Sequence, residues 1–272
     1  MPGDSVENIE SQIEPQPFSH ADYQVDFANF HEHLVNGEFS KLVLSRSVDI
    51  KRKPGLTAIS LFAEACRRYP RVMVALVSTP QAGTWLTATP EILLSGSGRF
   101  WQTMALAGTM PYSDKVRWSD KNIQEQRYVA TYVTEVLEHY TSDFTEHGPR
   151  TVRAAHLAHL RSDFHFTLSN TDRVGELIQA LHPTPAVCGL PKDEARQFIL
   201  ANEHHDRRYY SGFMGPLSLH DTTHLYVTLR CMQLFNSHCR LYAGGGILPE
   251  SNEQLEWQET EAKLDTMRRL FQ

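Results

Sequence analysis

The sequence predicts an α+β fold, on three observations. Short β-rich runs succeed one another over residues 72–107, two more face each other across Asn236-Ser-His238, and stretches of helical periodicity flank both groups. The 272 residues are 41% hydrophobic and 21% charged, which excludes a disordered chain and suits one large domain. Lysine and arginine number 26 against 32 acidic residues, a net charge of −6 with no basic run, so a nucleic-acid partner is not expected. No apolar stretch is long enough to span a membrane, and Met1–Pro17 is acidic and proline-containing, with neither the basic start nor the apolar run of an export signal. The four cysteines form no Cys-x-x-Cys pair and read as reduced core thiols, so a cytoplasmic protein is expected.

Residues 1–22 read as a flexible tail. Phe27, Phe30, Leu34 and Val35 then recur at helical spacing, closed by Asn36-Gly37, so structure is expected from about residue 24. Lys41 to Asp49 is β-rich, which puts Lys41 at a strand start. A helix over 57–69 precedes a meander of strands at 72–78, 84–88, 92–95 and 100–107. The turn near Gly96-Ser-Gly98 brings Glu91 and Ala107-Gly-Thr109 out at the same end of one hairpin. A helix of about five turns is expected from Asp120 to Tyr140, with Glu125 in its first turns. One strand is expected through Val152–Leu160, a helix over 172–181, a stiff Pro183-Thr-Pro185 loop, and a helix opened by Pro191. Strands at 224–234 and 239–243 form a hairpin that places Arg230 roughly opposite Gly244. Ser251 and Gln254 fit a capping box for a last helix ending near Phe271.

On that last helix Glu256, Glu259 and Lys263 fall on one stripe. The same spacing describes an exposed Glu–Lys ladder, and periodicity alone does not separate a solvated stripe from an inward one. Two or three carboxylates converging without cysteine or ordered histidine spacing suit a hard cation such as Mg²⁺, and Glu125 is the candidate partner. The run Gly244-Gly-Gly246 lacks the pattern of a phosphate loop or dinucleotide fingerprint. It reads as a glycine turn whose free N–H groups suit a carboxylate, supported by Arg230, or else as a plain tight turn. His31-x-His33 and His204-His-Asp206 lack a zinc-site pattern, and no Gly-x-Ser-x-Gly elbow is present.

Taken in order, several stretches resemble the chorismate-utilising enzymes, the group of isochorismate synthase, salicylate synthase and anthranilate synthase component I. They are Lys41-Leu-Val-Leu-Ser-Arg46, Ala88-Thr-Pro-Glu91, Leu106-Ala-Gly-Thr109, Ser119-Asp-Lys-Asn-Ile-Gln-Glu125, His159-Leu160, His182-Pro-Thr-Pro-Ala-Val-Cys-Gly189, Tyr210-Ser-Gly212, Thr228-Leu-Arg230, Ala243-Gly-Gly-Gly-Ile247 and Glu256-x-x-Glu-x-x-x-Lys263. The resemblance implies one α+β domain over residues 23–272, two packed antiparallel sheets with helices outside and a chorismate site in the cleft between them. It implies Mg²⁺ on Glu125 and Glu259, with Glu256 farther out and Lys263 assisting at the ring carboxylate. Gly108, Thr109, Ala186, Tyr210, Arg230 and Gly244 are the implied substrate contacts.

Lys41 at its strand start resembles the water-adding members, which implies Lys41 as general base, Glu91 as general acid, and isomerisation of chorismate to isochorismate. A dry pocket holding Lys41 neutral and Glu91 protonated is then required. Alternatives within the resemblance are salicylate synthase, which goes on to eliminate pyruvate, and a chorismate-binding protein with little turnover. Gln126 stands where the family usually has histidine, and the chain is shorter at its N-terminus than typical members. A monomer or weak dimer is expected, and menaquinone and siderophore pathways both stay open.

Overall fold

A computed structural model describes residues 18–113, 115–218 and 221–272. Most of the expected tail lies outside these residues. Its last part does not behave as a tail: α1 runs His20–Val35, begun by a reciprocal capping box in which Ser19 and Asp22 satisfy each other's backbone N–H. The helix starts earlier than its apolar stripe suggests because its first turn is polar and is set by the cap.

Two six-stranded antiparallel sheets form the frame. The first orders β2 (Met73–Thr79), β3 (Gly83–Thr89), β11 (Cys231–Leu234), β12 (His238–Ile247), β1 (Lys41–Lys51) and β8 (Gly189–Leu190). The second orders β6 (Phe144–Ala154), β7 (Leu157–Thr167), β5 (Phe100–Pro111), β4 (Ile92–Ser97), β10 (Thr223–Val227) and β9 (Phe213–Met214). Helices α2 (Ala58–Arg68) and α6 (Glu253–Arg268) cover the first sheet around Leu61, Leu86, Leu241 and Leu264. Helices α3 (Asp120–Glu138) and α4 (Val174–Leu181) cover the second around Val133, Phe164 and Leu177. Tyr23, Phe30 and Leu34 of α1 pack with Ile199 of α5 (Lys192–Asn202) against Leu42 and Leu44 of β1. The α+β reading with helices outside two sheets therefore holds.

The chain passes directly from sheet to sheet twice, and these crossings matter most for the site. It leaves β3 for β4 through Pro90-Glu91, and β10 for β11 through Thr228-Leu-Arg230. The two crossings lie side by side: Val227 N–H donates to Glu91 O and Ala88 N–H to Arg230 O, each at 3.0 Å. Glu91 and Arg230 are thus fixed together at the seam, Arg230 with a φ of 47°.

Several expectations are corrected. The single strand expected over 152–160 is the end of β6, a turn at Ala155-His156 and the start of β7; Ala155 takes a φ of 54° without any glycine, asparagine or proline to signal the turn. The strand expected over 224–234 is β10 and β11, in different sheets. Asn252 rather than Ser251 caps α6, its Oδ1 accepting from Leu255 N–H at 3.2 Å, while Ser251 Oγ accepts from Leu248 N–H at 3.0 Å. All four cysteines are free, but Cys66 is exposed rather than in the core. Gly244–Gly246 form no turn: they lie inside β12, paired with Ser45, Leu44 and Val43 of β1. Among the described residues, no helix is long and apolar enough to cross a membrane.

Candidate active site

β11 begins at Cys231, opposite Tyr242 of β12. Beyond that point Ala243–Ile247 pair with β1 on one side only, leaving the glycines an open edge at the cleft. Gly246 is required by close approach. A Cβ there would overlap the Glu125 carboxylate and lie 2.8 Å from Lys41 Cε. Gly244 gives the same clearance to Tyr210, whose hydroxyl would lie 2.7 Å from a Cβ. Lys263, from α6, donates to Gly244 O and to Glu259 Oε1, both at 2.7 Å.

Around this edge closes a cavity of about 50 Å³. Of the residues expected at the site, it brings together Glu91, Gly108, Thr109, Glu125, Ala186, Tyr210, Arg230, Gly244 and Lys263. Lys41 is not in the lining itself but lies wholly buried just behind Gly246 and Glu125, which are, with Nζ 3.1 Å from Glu125 Oε1 but poorly directed to donate to it. Glu256 and Glu259 face instead a neighbouring cavity of about 490 Å³, with Lys121 and Thr109. The stripe on α6 is therefore inward, and Glu256 is buried.

Buried charge sets the chemistry of these groups. Burial pushes the Glu91 carboxyl up to about 7, against the opposing charge of Lys41 and a 3.4 Å hydrogen bond from Thr184 Oγ1. Burial also lowers the Lys41 ammonium from its ordinary 10.5, with the Glu125 carboxylate opposing. Burial alone would raise Glu125, but the ammoniums of Lys41, Lys121 and Lys263 hold it well below the usual carboxylate range. Glu256 is raised by burial, with Lys121 opposing. For Lys121, burial is outweighed by Glu125, Glu256 and Glu259, which raise it.

His159 had a place in the motifs but no role, and its role is visible only in three dimensions. Gly108, at a φ of 67°, makes a bulge in β5 whose carbonyl faces His159 Nδ1 at 3.0 Å. A proton on Nδ1 leaves Nε2 to accept from Arg230 Nη2 at 3.2 Å, and burial with the charges of Arg230 and Lys263 keeps the ring neutral. Gln126 also has a structural partner: its Nε2 donates to Ser162 Oγ at 3.0 Å, tying α3 to β7 one residue after Glu125.

The donor set suits a hard divalent cation. Glu125 Oε2 and Glu256 Oε2 are buried without a hydrogen-bond partner, and Glu259 shares the Gly245 surface with Glu256. Lys121 Nζ meets Glu256, 2.6 Å from Oε1. Among the described residues no three His, Cys, Asp or Glu side chains stand at ligating spacing.

Among curated proteins, the chain is 30% identical to isochorismate synthase EntC of Escherichia coli over 86% of its length, covering 63% of that protein. It is 32% identical to isochorismate synthase DhbC of Bacillus subtilis over 94% of its length, covering 68% of that protein. The structure superposes on MenF, the menaquinone-specific isochorismate synthase of Escherichia coli, with a TM-score of 0.84 at 28% identity, covering 96% of this chain and 66% of that one. The chain thus spans about 63% of EntC. With the family model for the chorismate binding enzyme matching residues 4–272, across both sheets and every element of the cleft, the chain belongs to the chorismate binding enzyme family.

Proposed function

We propose that this chain is an isochorismate synthase whose residues 23–272 act as one catalytic domain, converting chorismate to isochorismate. The observation that carries the reading is the pairing of two buried groups, each shifted toward the protonation state opposite to its usual one, at one cavity: Glu91 in its lining, raised to about 7, and Lys41, lowered, directly behind Glu125 of that lining.

Lys41, when neutral, takes a proton from a water attacking C2 of the ring. The double bond shifts, and Glu91 gives its proton to the hydroxyl departing from C4. One water enters and one leaves, so the reaction is an isomerisation, and the two side chains exchange their protons with solvent between turnovers. Arg230, oriented by neutral His159, would take the pyruvyl carboxylate with the Tyr210 hydroxyl and the Gly244 backbone. The Gly108-Thr109 bulge and Ala186 would shape the opposite wall and exclude water. Glu125, Glu256 and Glu259 would hold Mg²⁺, which supplies charge to grip and polarise the ring carboxylate. Lys263, already bonded to Glu259, would add a second cation there.

The test is purified protein with chorismate and Mg²⁺, products resolved by chromatography, repeated with Lys41→Ala and with EDTA. Isochorismate that disappears in both controls is expected. Pyruvate release would show salicylate synthase instead, and chorismate bound without any product would show a binding protein.

A further inference from the structure

Lys121 belongs to none of the roles above, yet it occupies the most charged point of the cleft. It lies one helical turn before Glu125 on α3, so both side chains lie on the same helix face. Its ammonium reaches across to α6 and meets Glu256 Oε1 at 2.6 Å. The second oxygens of both Glu125 and Glu256 are buried and without a hydrogen-bond partner. Buried carboxylate oxygens left in this way call for a further cation between them, and the Lys121 ammonium, placed on Glu256 Oε1, satisfies neither. Lys121 also has somewhere to go. With Glu256 and Glu259 it lines the outer cavity of about 490 Å³, whereas Glu125 lines the inner one. A four-carbon stem hinged at the first turn of α3 can swing into the outer space without moving the helix.

We propose that Lys121 is a built-in stand-in for the divalent cation: its ammonium ties the start of α3 to the Glu256 carboxylate of α6 when no metal is bound and withdraws into the outer cavity when the metal enters. The inference rests on the reading that Glu125, Glu256 and Glu259 bind Mg²⁺. A lysine in this role competes with the metal, and its removal has two opposite effects. The metal-free protein loses the partner of Glu256, while the metal gains a site from which a competing charge is gone.

The experiment is titration of this chain, residues 1–272, with Mg²⁺ alone by isothermal calorimetry, alongside melting curves with and without Mg²⁺. It compares wild type, Lys121→Met, Lys121→Gln, Lys121→Arg and Glu259→Gln. Both charge-removing variants should bind Mg²⁺ roughly ten- to a hundredfold more tightly than wild type, the worth of one charge-assisted hydrogen bond. They should melt below wild type without metal and gain more from Mg²⁺ than wild type does. Lys121→Arg, which keeps the charge, should stay near wild type. Equal or weaker Mg²⁺ binding in Lys121→Met and Lys121→Gln would overturn the role of Lys121 and leave the metal reading standing. Binding absent from wild type and both charge-removing variants, or unchanged in Glu259→Gln, would overturn the metal reading and this inference with it.

Discussion

Glu91→Gln tests the acid–base reading most sharply, because the amide keeps the side chain's size and its contact with Thr184 while removing the proton. A glutamic acid at its ordinary 4.5 would be about 0.3% protonated at pH 7; raised to about 7 it is half protonated, about 150-fold more of the acid form. That gain is produced mainly by burial between the two crossing segments, and it is what the reaction would use. The signs follow from the states required. Glu91 acts only when protonated, so its step weakens tenfold per pH unit above about 7. Lys41 acts only when neutral, so its step strengthens with pH until its lowered value is passed.

Wild type should therefore show a bend in log kcat/KM near pH 7 and a falling alkaline limb, measured at saturating Mg²⁺ by isochorismate formation. In Glu91→Gln both features should vanish, leaving a rise with pH to a plateau set by Lys41 alone. The rate should fall by about 10²–10⁴-fold, the usual worth of a general acid. A variant within tenfold of wild type, or one that keeps the bend near 7, would refute the assignment of Glu91.

Two further outcomes follow from packing. Gly246→Ala drives a methyl group into the Glu125 carboxylate and against Lys41 Cε, the ends of two flexible side chains. Turnover should drop by about a hundredfold or more for this displacement of reacting groups, with little change in melting temperature, and activity near wild type would show that the close approach is idle. Phe164→Ala empties a wholly buried ring position between β7 and the α3–α4 layer and should cost about 3–5 kcal/mol in urea unfolding. A loss under about 1 kcal/mol would mean that this core is not packed as described.

How far the sequence discloses such a site depends on which forces act locally. Lys41 at a strand start and Glu91 sharing an end with Gly108-Thr109 follow from a β-rich run and one turn, both read within a few residues. The sheet crossings do not follow, because Thr228-Leu-Arg230 carries no proline or glycine and the strain of a φ of 47° at Arg230 is sustained by hydrogen bonds from distant residues. The same holds for the β6–β7 turn at Ala155. The glycine run reads as a turn from sequence for a physical reason: glycine marks both positive φ and close approach, and only the partners Glu125, Lys41 and Tyr210 show that approach is the cause here. The α6 stripe was undecidable by periodicity because Trp257 defines a competing face. The structure uses both faces, Trp257 beneath the Arg46 guanidinium at 3.6 Å and Glu256 in the cleft.

The arrangement of charge explains why these residues belong together. When Lys41 is neutral and Glu91 protonated, the states that the proposed reaction needs, the site keeps three cations, Lys121, Lys263 and Arg230. Beside them stand the carboxylates of Glu125 and Glu259, and Glu256, which burial raises to about 7 so that it is only part ionised near neutral pH. A dianionic ring diacid entering alone would add two negative charges to this cluster, and a divalent cation entering alone two positive ones; entering together, they offset each other. Substrate and metal should therefore each strengthen the binding of the other, by the same factor in both directions. Lys41 joins this balance through Glu125. The carboxylate that opposes its deprotonation in the empty site is the one a bound cation would neutralise, so filling the site favours the neutral lysine that the chemistry requires.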